Sequence, residues 1–253
     1  MELKGVAAIV TGGASGLGGA TAEMLAGQGA KVTIFDLNEE AGRAHAEKIG
    51  GAFQKVNVVD DANVTEAVAA AEAAHGVARV LVNCAGIAIA VKTVGKEAKP
   101  HPLDQFRRVI EINLIGTFNV ISKVSARLIG QEPIGEERGV IINTASVAAY
   151  DGQVGQAAYS ASKGGVVGMT LPIARDLAQY GVRVCTIAPG IFWTPMMAGL
   201  PQAAQDSLAQ QIPFPSRLGR PEEYALLARS ILENPMLNGE TIRLDGAIRM
   251  APR

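Results

Sequence analysis

Neither sign of charge prevails in this sequence: 23 lysines and arginines stand against 24 aspartates and glutamates, a formal net charge of -1. A nucleic-acid-binding face needs surplus cation to neutralise phosphates, so that class is set aside. Cysteine is scarce. Cys84 and Cys185 lie far apart in apolar segments without metal-ligand spacing, so no metal is expected and both read as small buried residues of a reducing compartment. No stretch approaches the ~20 apolar residues of a membrane helix, and the apolar run in MELKGVAAIVTGG is too short for a secretory signal. The expectation is a soluble, cytoplasmic protein without membrane or nucleic-acid partners. Aromatics make up only 4%, whereas glycine numbers 29, which suits tight helix–strand packing with many turns.

What is present is an alternation. VAAIV (6–10), KVTIF (31–35), VLVN (80–83), GVIINTAS (139–146), VRVCTIAP (182–189) and ETIRLD (240–245) are continuous apolar runs, the pattern of strands buried on both faces. Ala/Leu/Glu-rich helical segments such as ATAEMLAGQG and EEAGRAHAEKIG lie between them. Strand and helix in turn predict βαβ units with right-handed crossovers. The fold class is therefore α/β: a Rossmann-type, doubly wound parallel sheet flanked by helices on both faces, one domain spanning 1–253. Two irregular regions, 90–103 and 191–219, follow strands and are expected to border a site beyond the strand C-termini, the second as a small substrate-loop lobe.

The first strand leads into VTGGASGLGGATAEML, where Gly12, Gly16 and Gly18 give a G-x-x-x-G-x-G spacing. Glycines there leave room for backbone N–H groups and a helix N-terminus to approach a pyrophosphate, with Ser15 and Leu17 adding contacts. Asp36, eighteen residues after Gly18, ends the second strand. Its carboxylate suits the adenosine ribose hydroxyls and repels a 2′-phosphate, which favours NAD over NADP. A glycine-rich turn and a turn-forming Asp are the ordinary readings, and neither explains the pair at this spacing. The strand at 80–83 runs into NCAG, whose small residues Cys84, Ala85 and Gly86 would let the chain pass under a ribose and nicotinamide.

YSASKGG (159–165) sets Tyr159 and Lys163 one helical turn apart. An isolated pair of this kind is usually surface decoration. Downstream of a dinucleotide turn it has another use: a nearby ammonium lowers a phenol's pKa from ~10 toward working pH, making it an acid–base group. Ser146 would hold the substrate oxygen, and Asn113, in EINLIG, would bind a water linking Lys163 to solvent.

TGGASGLG, NCAG, Asn113, Ser146 and YSASK together resemble the short-chain dehydrogenase/reductase family, and the likeness runs on through APG (188–190) and LDGA (244–247). Outside these motifs, RGVIINTASVAAYDGQVGQAAYSASKGG and PFPSRLG resemble a branch that oxidises 3-hydroxyacyl-CoA. The resemblance implies a catalytic set of Asn113, Ser146, Tyr159 and Lys163. It implies NAD contacts at Gly12, Ser15, Gly16, Leu17, Gly18, Asp36, Leu37, Asn57, Val58, Cys84, Ala85, Gly86, Tyr159, Lys163, Pro189, Phe192 and Thr194, and substrate beside Ser146, Gln153, Gln156 and Tyr159. A homotetramer is also implied. Asn57 departs from the family's usual aspartate near the adenine. Trp193 replaces a small residue, and reads equally as a reshaped acyl pocket or a packed loop anchor. Lys92, Lys96, Lys99 and His101 make the 90–103 loop locally basic, suited to coenzyme A phosphates or merely solvated. Hydroxysteroid oxidation, 3-oxoacyl-carrier-protein reduction and an NAD-bound scaffold are the alternatives.

Overall fold

The computed structural model describes residues 1–198 and 201–252, and within them every side chain except those at 196, 203 and 204. Seven strands form one parallel sheet: β1 (Ala7–Thr11), β2 (Lys31–Asp36), β3 (Ala52–Lys55), β4 (Val80–Asn83), β5 (Gly139–Thr144), β6 (Val182–Pro189) and β7 (Thr241–Leu244). Their order is β3-β2-β1-β4-β5-β6-β7, so the winding reverses between β1 and β4. That reversal opens a crevice at the strand C-termini, where open α/β sheets bind their ligands.

The helices are α1 (Gly16–Gly27), α2 (Glu39–Lys48), α3 (Asp61–His75), α4 (Leu103–Ile110), α5 (Gly116–Leu128), α6 (Ala157–Ala178), α7 (Pro195–Ala198), α8 (Gln202–Gln210) and α9 (Pro221–Glu233). Between α4 and α5 the helix passes through a π-turn at Glu111–Ile115. Local signals start several of them: Asn38 accepts from Ala41 N to cap α2, and Asp60 accepts from Asn63 N to cap α3.

Alternate side chains of each central strand enter different layers. Val10, Ile34, Val82 and Ile142 pack with α1 and α9, while Ile9, Phe35, Leu81 and Ile141 pack with α3 and α5. All are essentially inaccessible, which is why these strands read as unbroken apolar runs. β3 escaped the sequence reading because its burial is partial and its sequence, AFQK, offers no such run. Leu103–Leu128, including the π-turn, is long and apolar enough to cross a membrane, contrary to the sequence expectation; half of that window is buried inside this fold, as in a core helix.

Candidate active site

Beyond the C-termini of β1, β2, β4, β5 and β6 lies a cleft of about 610 Å³, within the roughly 300–1,000 Å³ usual for small-molecule sites. Every residue expected to hold a dinucleotide lines it: Gly12, Ser15, Gly16, Leu17, Gly18, Asp36, Leu37, Asn57, Val58, Cys84, Ala85, Gly86, Tyr159, Lys163, Pro189, Phe192 and Thr194. Sequence reading missed Arg108 and Ile112 from the α4 region, and Thr144. The first two reach it from the helix that runs on through the π-turn, and no local signal marks them.

The glycine turn is built by contact. Gly12 has φ +64°, and a Cβ there would meet Ala85 N at 2.8 Å; one at Gly18 would meet Gly12 O at 2.2 Å. Ser15 sits at the N-cap of α1 without a side-chain cap, so the helix presents free N–H groups and its positive end to the cleft. Asp36 is held by Ala14 N (3.1 Å to Oδ2) and Asn38 N (2.9 Å to Oδ1), which aims its carboxylate and leaves each oxygen further lone pairs. An anionic pyrophosphate and a ribose diol fit these groups. Asn57 Oδ1 accepts from its own loop at Val59 N (3.3 Å), a local turn role in place of the expected aspartate.

At the other end, β5 delivers Ser146 and α6 delivers Tyr159 and Lys163. Ser146 leaves the strand ladder and caps a short turn through Ala148 N (3.1 Å). Its hydroxyl is near enough to the Tyr159 phenol to favour the phenolate and pull that pKa down. Lys163 Nζ lies 5.8 Å from the Tyr159 ring centroid and donates to the Thr144 carbonyl at 2.8 Å. Burial raises the Tyr159 pKa, against the pull of Ser146, and burial lowers Lys163 to about 8. Desolvation therefore outweighs the lysine-on-tyrosine effect that the sequence suggested. Lys163 stays charged by about ten to one at pH 7, and both groups hold their protons there.

Two expected residues sit elsewhere. Asn113 is fully buried outside the cleft lining, its amide engaged with Ile87 N (2.8 Å), Ile87 O (2.9 Å) and Ser162 Oγ (3.0 Å). It clamps the chain behind Gly86; both amide hydrogens are used and one lone pair of Oδ1 is left over. Gln153 also lies outside the lining; its Nε2 reaches Ala251 O (2.9 Å), while its backbone N donates to the side chain of Gln156, which does line the cleft. The small residues after Lys163 serve packing: a Cβ at Gly165 would strike Leu114 at 2.6 Å, whereas none lies within 4 Å at Gly164. Trp193 is 46% exposed and lies outside the lining, its backbone N donating to Gly219 O at 2.8 Å. In the 90–103 loop, Lys99 pairs with Glu97 (2.8 Å) and His101 Nδ1 meets Val91 O (3.2 Å). The loop is stapled to the site wall by Val91 N donating to Gly155 O (2.8 Å).

Comparison with known proteins agrees with this geometry. The short chain dehydrogenase family model matches residues 6–205. The chain is 58% identical to human 3-hydroxyacyl-CoA dehydrogenase type-2, covering 99% of this chain and 98% of that one, and 56% identical to the Drosophila melanogaster protein of the same name, covering 99% and 100%. A crystal structure of 3-hydroxyacyl-CoA dehydrogenase type-2 from Mycobacterium avium, 43% identical, superposes with a TM-score of 0.95 over 98% of each chain. With likeness of this degree from one end to the other, the chain belongs to the short-chain dehydrogenase family and is an oxidoreductase.

Proposed function

We propose that this enzyme interconverts 3-hydroxyacyl-CoA and 3-oxoacyl-CoA with NAD as the hydride carrier. The observation that carries the reading is the Ser146–Tyr159 hydroxyl pair, set beside buried Lys163 in a cleft whose other end is a glycine turn and Asp36. The family works with a nicotinamide cofactor, which when bound takes hydride from the alcohol carbon or returns it. Ser146 holds the substrate oxygen. Tyr159 removes the hydroxyl proton in oxidation and supplies one to the carbonyl oxygen in reduction. Lys163, anchored on Thr144 O, favours the phenolate by its charge as the proton leaves.

Asp36 supports NAD over NADP, because an aimed carboxylate accepts from ribose hydroxyls and repels a 2′-phosphate. For coenzyme A the support is the high likeness to 3-hydroxyacyl-CoA dehydrogenases, Arg108 in the cleft lining and the cations of the 90–103 loop. Lys92, Lys96 and Arg108 have no ion pair among the described residues. A 3-oxoacyl-carrier-protein reductase reading draws on the 35% identity to the Thermotoga maritima enzyme of that name, but Asp36 speaks against its use of NADPH. Hydroxysteroid turnover and an NAD-bound scaffold have no observation in their favour. A homotetramer is part of the proposal, supported by half-exposed Ile115 and Phe118 beside α4–α5 and Leu171 on α6; cytoplasmic residence is proposed on two free thiols.

The test is a panel of acetoacetyl-CoA, a branched 2-methyl-3-oxoacyl-CoA, a steroid ketone and an acyl-carrier-protein thioester, each with NADH and with NADPH. The reading expects the highest kcat/KM for a CoA thioester with NADH. A strong NADPH preference, or a steroid preferred over both thioesters, would overturn it.

A further inference from the structure

Beside Lys163 a polar cluster runs from the cleft wall at Cys84 and Thr144 into the core at Tyr224, whose side chain the reaction as described does not use. Tyr224, in the first turn of α9, is 0% exposed and is among the largest fully buried side chains. Its Oη lies 2.7 Å from Thr144 Oγ1 and accepts from Cys84 Sγ at 3.7 Å. Thr144 Oγ1 also lies 2.6 Å from the Asn83 carbonyl and 3.4 Å from Cys84 Sγ.

The protons in this cluster can be assigned. A carbonyl only accepts, so the single Thr144 hydroxyl proton goes to Asn83 O, the shorter of its two available acceptors. Thr144 Oγ1 must then accept from Tyr224, which makes the phenol the donor of the 2.7 Å bond. The series Tyr224 → Thr144 → Asn83 thus ties α9 and the end of β4 to the last residue of β5. That residue's own carbonyl is the one protein partner of the Lys163 ammonium among the hydrogen bonds of the described residues. The ladder holds the other side of this peptide unit, where Ala145 N donates to Ile187 O at 2.8 Å, so the side-chain series adds a second restraint at the point where the strand turns toward Ser146.

We infer that Tyr224 is a positioning residue for the reaction, fixing through Thr144 the carbonyl that holds Lys163 beside Tyr159. The inference rests on the proposed roles of Tyr159 and Lys163. The titratable groups around Lys163 are Tyr159 on its own helix, Cys84 at the end of β4 and Tyr224 on α9; no carboxylate acts on it among the described residues. Burial raises both Cys84 and Tyr224, so both stay protonated and neutral at working pH. Loosening the carbonyl removes a bond to the charged lysine, so the ammonium supports the phenolate less and the pH needed for alcohol oxidation rises.

The experiment compares Tyr224→Phe with the wild type in kcat, KM and the pH profile of alcohol oxidation, and in NADH affinity by fluorescence titration. Thr144→Val repeats the test from the other end of the bond, and Ile231→Val, a buried change later in α9, controls for lost stability. The expected result is a fall in kcat of about tenfold and an alkaline shift of the profile by about half a unit or more, since each unit is a tenfold change. NADH affinity should hold in Tyr224→Phe, Tyr224→Phe combined with Thr144→Val should be no worse than Thr144→Val alone, and Ile231→Val should change neither kcat nor profile. Wild-type kcat and profile in Tyr224→Phe would overturn the inference, as would the same changes appearing in Ile231→Val. Should Tyr224→Phe not fold, an unchanged profile in Thr144→Val would overturn it. Tyr159→Phe is run alongside: turnover surviving there removes the underlying reading, whereas turnover lost there but intact in Tyr224→Phe removes only the role of Tyr224.

Discussion

Replacing Gly18 by alanine places a methyl group where the structure has no room for one. Its carbon would stand 2.2 Å from Gly12 O and 2.7 Å from Gly12 C, both backbone atoms, with Cys84 Cβ at 3.2 Å. Carbon–oxygen contacts settle no closer than about 3.3 Å, so turn and helix must part by about 1 Å. No flexible side chain lies in the way to yield instead. Overpacking of this kind costs about 1–3 kcal/mol, a fall in Tm of roughly 2–4 °C for each kcal/mol in a chain of this size. The same displacement opens the turn that faces the cleft, so NADH affinity should drop at least tenfold. Gly27, at the end of the same helix, has nothing within 4 Å of its Cβ position; alanine there should raise stability by up to about 1 kcal/mol. Thermal unfolding and fluorescence titration with NADH read both variants. A Gly18→Ala protein with wild-type Tm and affinity would refute the packing argument, as would loss of affinity in Gly27→Ala.

Three further outcomes follow from the site and its frame. Asp36→Ser, by removing the charge that faces the ribose, should shift the ratio of kcat/KM for NADPH over NADH upward by at least tenfold. Glu137→Gln should cost about 3–5 kcal/mol, because it leaves Arg183, whose guanidinium pairs with Glu137 at 2.6 Å, buried without its counter-charge. Burial pushes the Glu137 carboxyl up, but Arg183 and the N-terminal ammonium outweigh it and hold the pKa low. Its stabilising share is therefore present above the ordinary carboxylate range and lost as pH falls through the folded value, so the Tm gap between wild type and variant should close on acidification. Finally, with the Tyr159 phenol held up by burial and Lys163 at about 8, alcohol oxidation should rise from neutral toward alkaline pH, while carbonyl reduction should not.

Much of this site was legible because its parts are local in sequence. Strands buried on both faces must be apolar throughout, which reveals five of the central ones, and the glycine turn and the 159–163 pair each lie within one element. What escaped depends on tertiary contact. β3 is an edge strand with half-exposed residues. Asn113 sits in a π-turn whose amide is consumed by the backbone at Ile87, and no residue pattern foretells that. Gln153 was placed at the substrate by likeness, yet its amide faces Ala251. Tyr224 meets Thr144 across 80 positions of sequence; within α9 it reads as one more core residue. Desolvation, too, has no signature in the sequence, and it is what moves Tyr159 and Lys163 opposite to the simple pairing argument.

The central claim is that the Tyr159 hydroxyl carries the proton in a cleft that already holds the nicotinamide. The most direct measurement is turnover of acetoacetyl-CoA by Tyr159→Phe, with NADH binding titrated on the same preparation. The account predicts turnover reduced at least a hundredfold with NADH affinity kept within a few-fold of wild type. Turnover retained within a few-fold of wild type would contradict it.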